Sequence, residues 1–142
     1  MRITGGSSYI KWDFVEELQD ERSISEIEKM VGIKFPQDFV DCVKKYNAAN
    51  PEPNSFDTDI EEGHVFDALL SFNNEDLDNI YSSIDGIEFF PYDTLAPIAL
   101  DPFGNFICYD KRTLQLKFWN HETGETEFIA NTFTEFLDKL YD

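Results

Sequence analysis

Positive charge is what this sequence most lacks. It carries 11 Lys and Arg against 29 Asp and Glu, a formal net charge of −18. The shortage is also local. No Lys or Arg occurs between Lys45 and Lys111, a stretch that holds 14 carboxylates. Such a surface excludes free nucleic acid and anionic membranes as partners. A basic protein fits it, because complementary charge speeds encounter and rejects wrong partners. Acid in this amount also keeps a chain soluble with no partner at all.

Other scarcities exclude further classes. Two cysteines, Cys42 and Cys108, make no disulfide framework, and both fall in apolar settings of buried hydrophobes. No apolar run approaches the roughly 18 residues of a membrane span. The opening "MRITGGSSYIKW" has a charge but no apolar core of a secretory signal, so the cytosol is the expected location. The seven glycines are scattered, with no Lys nearby in the middle of the chain, so no phosphate cradle forms.

Histidine is scarce too. His121 precedes Glu122, but a zinc motif needs a second His four residues on, where Glu125 stands. His64 and His121 are therefore read as neither catalytic nor metal-binding, and no serine-nucleophile elbow exists. "DTDIEEG" offers Asp57, Asp59 and Glu61 at alternate positions, like the start of a calcium loop. The sixth and twelfth positions are then Glu62 and Ala68 where Gly and Glu are needed. No cofactor and no metal is expected, and the chain is not read as an enzyme.

What is abundant is core material: 42% apolar residues and 14 Phe in 142 residues, enough for one domain spanning 1–142. "IKWDFVEELQDE" places Phe14, Val15 and Leu18 at helical spacing. "SISEIEKMVGIKFP" reads as a short helix with Ile27, Met30 and Val31 as its apolar stripe. Ser23 with Glu26 and Ser25 with Glu28 have capping-box spacing, and Gly32 is the stop. Pro36 opens a third helix, with Phe39, Cys42, Val43 and Tyr46 facing the core. Asp38, Lys44 and Lys45 suit its dipole. "HVFDALLSF" reads as a bent strand. "NEDLDNIYSSI" reads as a helix with Leu77, Ile80, Tyr81 and Ile84 on one face.

"APIAL", "FICYD", "LKFWN" and "TEFIA", separated by turn compositions, predict an antiparallel meander. In "DPFGN" either Gly104 or Asn105 takes a positive φ while Asp101 tethers the turn. "NTFTEFLDKLYD" is an amphipathic helix capped by Thr132 with Glu135. The fold class is α+β: N-terminal helices, an antiparallel β-meander of four to six strands, and a C-terminal amphipathic helix packed on the sheet.

The order of these motifs is itself informative. "ISEIEKMVGIKFPQDFVDCVKKYNAA", "LAPIALDPFGNFICYD" and "LKFWNHETGETEFIANTFTEFLDKL" together resemble the SUKH superfamily over about residues 23 to 141. The match runs through Gly32, Pro36, Asp38, Asn47, Asp101, Gly104, Asn105, Asp110, Trp119, His121, Phe133 and Phe136. Phe35 and Phe39 replace the family's usual Leu and Tyr. Ala48 stands where Gly usually follows Asn47, so Asn47 or Asn50 is expected to take the left-handed turn.

The resemblance implies a non-catalytic α+β domain, for most bacterial members an immunity protein that binds a cognate toxin. A fungal branch implies the alternative, an interaction scaffold regulating cell-wall (glucan) synthesis. A nuclease toxin needs a basic cleft, which an acidic inhibitor complements. The partner-binding candidates are therefore Asp57, Asp59, Glu61, Glu62, Glu75, Asp76 and Asp78, in the least regular part of the base-free stretch. A homo-oligomer is compatible with the sequence.

Overall fold

The computed structural model describes residues 10–142. A short strand, β1 (Lys11–Asp13), leads into two helices, α1 (Arg22–Val31) and α2 (Gln37–Tyr46). Four brief strands follow: β2 (Asn50–Glu52), β3 (Ser55–Phe56), β4 (His64–Val65) and β5 (Ala68–Leu69). One turn of helix, α3 (Ile80–Ser83), precedes the meander β6 (Leu95–Leu100), β7 (Phe106–Asp110), β8 (Leu116–Trp119) and β9 (Thr126–Ala130). Helix α4 (Phe133–Asp138) ends the regular structure. The meander and β5 form one antiparallel sheet in the order β5-β6-β7-β8-β9, while β1–β2 and β3–β4 pair separately. The α+β class therefore holds.

Alternation sorts the sheet's residues into two faces. Tyr109 lies opposite Leu116, and Ile107 opposite Phe118, on one face. There Phe39 of α2 meets Tyr109 edge-on with ring centroids 5.6 Å apart, Phe35 packs on Phe39 at 5.1 Å, and Phe133 of α4 packs on Phe39 at 5.3 Å. Phe106 and Trp119 pair on the other face, under Phe90 from the segment before β6. Both faces are thus covered, which explains why β7 is buried along its whole length. Pro97 sits in a central strand, where its missing N–H would break the ladder, and the register shifts between Pro97 and Ala99 to accommodate it.

Several expectations meet local physics that overrides them. The segment from Ile10 is strand and loop rather than helix, because Trp12 stacks on Tyr46 and the chain pairs with β2. Phe14 is then left exposed at φ 59. Helix α1 begins at Arg22, so Ser23 and Ser25 lie inside it, and its N-cap Glu21 makes no side-chain cap bond. Ile24, rather than the exposed Met30, completes its buried stripe. Gly32 does end it, at φ 80. Leu77 lies outside α3 and is exposed.

Other local readings agree with the structure. Pro36 is at the cap of α2, one residue before its first turn. The exception is the end of α2, where neither Asn47 nor Asn50 takes the expected left-handed turn: Ala48 itself takes it at φ 65, while Asn47 has φ −49 and its side chain bonds the Glu16 carbonyl, Ser71 Oγ and the Phe72 N–H. Gly104 takes the positive φ of the "DPFGN" turn at φ 89. Asp101 accepts from the N–H groups of Phe103 and Asn105 and from the Asn105 amide, each at 2.8 Å. Thr132 caps α4 by accepting from the Glu135 N–H. Both cysteines are buried, and burial pushes the Cys42 thiol up to about 12.

Candidate functional site

The seven carboxylates singled out from sequence do not form one site. They sit in two loops at opposite edges of the five-stranded sheet. Asp57, Asp59, Glu61 and Glu62 belong to the β3–β4 loop, which is fastened to edge strand β9. The Asp59 N–H donates to the Phe128 carbonyl, and the Phe128 N–H donates to the Asp59 carboxylate, both at 3.0 Å. Glu75, Asp76 and Asp78 belong to the loop that leaves the other edge strand, β5.

At the β9 edge most of the acid is used internally. Asp57 accepts from the Tyr141 hydroxyl at 2.6 Å and from the Gly63 N–H at 3.0 Å, which hold its carboxyl below the usual range. Glu61 lies 3.7 Å from His64 Nε2, and His64 Nε2 lies 3.1 Å from Oε1 of buried Glu127. An ionised carboxylate only accepts, so Nε2 carries the shared proton. Thr58 also donates to Glu127 Oε1, at 2.6 Å. Burial works to raise the Glu127 carboxyl, but the Thr58 and His64 hydrogen bonds outweigh it, and the net direction is down. The His64 ring rests on Phe118 with centroids 4.1 Å apart, on the sheet face that Glu127 shares.

Among the described residues, Glu61, His64 and Glu127 are the group with the chemistry to hold a metal ion, with ligand atoms within 4.8 Å of one another. Their hydrogen bonds already satisfy Glu127, so the arrangement explains itself as a tether between the loop and β9. Glu62 alone of the four sequence candidates here is exposed with no side-chain bond among the described residues.

The β5 edge is organised around a buried amide. Asn47 donates to the Glu16 carbonyl at 2.9 Å and to Ser71 Oγ at 3.0 Å, and accepts from the Phe72 N–H at 2.9 Å. Ser71 in turn donates to Asp76 at 2.7 Å, and Asn73 donates to Asp76 at 3.0 Å and to the Glu17 carbonyl at 2.9 Å. Asp76 is therefore partly structural. Glu75 and Asp78 are exposed, and their carboxylates make no hydrogen bond or ion pair among the described residues. This edge also gathers residues that the sequence did not mark as binding candidates: Phe14, Glu16, Ala48, Asp67 and Leu77 line a depression of about 330 Å³ with Asp76 and Asp78. Asp67 was visible within the base-free stretch. Nothing in the local pattern marked Phe14, because helical spacing assigned it to a core.

Residues 21–137 match the model of the SUKH_6 family, described as SMI1-KNR4 cell-wall. A SPbeta prophage-derived uncharacterized protein, YokK of Bacillus subtilis (strain 168), is 27% identical over 147 residues, covering 88% of this chain and 76% of that protein. No helix among the described residues is long and apolar enough to cross a membrane.

Proposed function

Because the chain belongs to the SUKH_6, SMI1-KNR4 cell-wall family, we propose that it is a non-catalytic, cytosolic immunity protein that neutralises a basic toxin by binding it. The observation that carries this reading is the base-free stretch from 46 to 110, folded so that its exposed carboxylates lie on loops held by a rigid sheet. A nuclease must bind a polyanion, so its cleft is basic, and carboxylates presented on a fixed scaffold take the place of phosphates. Such charge complementarity raises the association rate and makes binding fall with salt. The prophage origin named for the Bacillus subtilis relative fits a gene that travels with a toxin.

The test is co-expression with the toxin domain encoded beside the gene. Rescue of growth and a stable complex that weakens with salt are expected. The absence of both rescue and complex sinks the reading. The family description favours a second reading, a binding scaffold in the regulation of cell-wall synthesis. Deletion of the gene would then change sensitivity to wall-targeting agents with no toxin present.

A further inference from the structure

We propose that the depression at the β5 edge is the docking surface for that basic partner, with Phe14 and Leu77 as apolar anchors inside a carboxylate rim. This rests on the immunity reading and gives it an address. Leu77 is 91% exposed and Phe14 80%, and both line the same depression. A single exposed apolar side chain needs no explanation; two converging on one concavity do.

The backbone there is also unusual. Among the described residues five non-glycines have positive φ, and three of them, Phe14 (59), Ala48 (65) and Asp78 (53), line this depression. Left-handed backbone on residues with a Cβ is costly and concentrates where surroundings enforce it for function. Here the enforcing group is the Asn47 amide, which ties Glu16 and Phe72 to one point. The two loops are thereby fixed before any partner arrives, which lowers the entropic cost of binding.

Charge selects the occupant. The rim holds Glu16, Asp67, Asp76 and Asp78, and among the described residues no Lys, Arg or His lines the depression. Glu16, Asp67 and Asp78 leave their carboxylates without an internal partner among the described residues. A protein segment presenting an apolar side chain flanked by Lys or Arg fits this; an acidic or a plain apolar surface does not. The arrangement, an apolar centre ringed by polar groups, is that of binding hot spots in protein interfaces.

The probe is the catalytically inactivated toxin domain encoded beside the gene, titrated against the full chain. Leu77→Ser and Phe14→Asn should each weaken binding about tenfold or more, with thermal unfolding unchanged because both side chains are exposed. Asn is chosen at 14 because it tolerates positive φ. Asp78→Asn should flatten the salt dependence. Ile60→Ser, at the opposite sheet edge and 65% exposed, is the control and should bind as the parent chain does. Parent-like affinity in both Leu77→Ser and Phe14→Asn overturns this proposal and leaves the immunity reading standing. Absence of any complex with the parent chain overturns both. Self-association abolished by Leu77→Ser would make the occupant a second copy of this chain and also overturn the proposal.

Discussion

The two edges of the sheet use the same residue type for opposite ends. At β9, Asp57 and Asp59 fold inward to backbone N–H groups and a tyrosine hydroxyl. The loop they hold covers an edge strand that would otherwise offer unpaired N–H and C=O groups to another chain. At β5, Asp76 is spent the same way, but Glu16, Asp67 and Asp78 are left to solvent. Acid content alone does not mark a binding surface. What separates the edges is how many carboxylates remain after the fold has taken those it needs.

The largest expected effect breaks the β5 edge itself. Asn47→Ala removes one group that satisfies three partners, the Glu16 carbonyl, Ser71 Oγ and the Phe72 N–H. Each buried polar group left unpaired costs about 1–3 kcal/mol. A loss of about 3 kcal/mol in urea unfolding is expected, with partner binding lost alongside it. A stability change under about 1 kcal/mol would remove Asn47 as the organiser of this edge.

The next effect lies at β9 and depends on pH. Glu127 has its carboxyl lowered in the folded chain, so it contributes stability above its unfolded value of about 4.3. That contribution is lost as pH falls through the lower folded value. The whole chain also gains on acidification, because protonation relieves its negative charge, so the readout is a difference between two chains. Glu127→Gln should cost about 1.5–3 kcal/mol at pH 7, the range of hydrogen bonds to charged groups. The gap to the parent should close below about pH 4. A gap that is constant with pH would mean the carboxylate charge plays no part in the tether.

A paired substitution sharpens the contrast. Asp59→Ala should cost about 1 kcal/mol of stability, one hydrogen bond to a backbone N–H, and leave partner affinity unchanged. Asp78→Asn should leave stability unchanged and weaken binding. The reverse assignment would exchange the roles of the two edges.

The meander was legible because β-branched and aromatic runs alternate with turns whose chemistry is local. Asp101 and Gly104 act within five residues of each other, so the sequence displays their logic. Helix α2 was legible for the same reason, through Pro36, Asp38 and the periodic Phe39, Cys42 and Val43. The β5 edge was not. Its key bonds join Asn47 to Ser71 and Phe72, and Asn73 to Glu17, across gaps of 24 to 56 residues. Helical spacing in Phe14, Val15 and Leu18 was real as a pattern. It lost to the stacking of Trp12 on Tyr46 and to pairing with β2. The candidate acids were found by charge, but charge could not tell which of them the fold would consume.

The smallest effects test whether strain belongs to one edge only. The β9-edge loop makes its left-handed turn with Gly63, at φ 81. A Cβ there meets nothing within 4 Å, so Gly63→Ala carries only the backbone penalty, about 1 kcal/mol. The β5 edge makes the equivalent turn with Ala48 at φ 65. Ala48→Gly relieves strain of about 1 kcal/mol and returns most of it as added freedom of the unfolded chain, roughly 0.5–1 kcal/mol. A net gain of a few tenths of a kcal/mol is expected in urea unfolding. Affinity for the inactivated toxin domain should drop only slightly, because the Asn47 amide still fixes Glu16 and Phe72. A gain in stability coupled to a tenfold loss of binding would instead place the preorganisation of the depression in the Ala48 backbone.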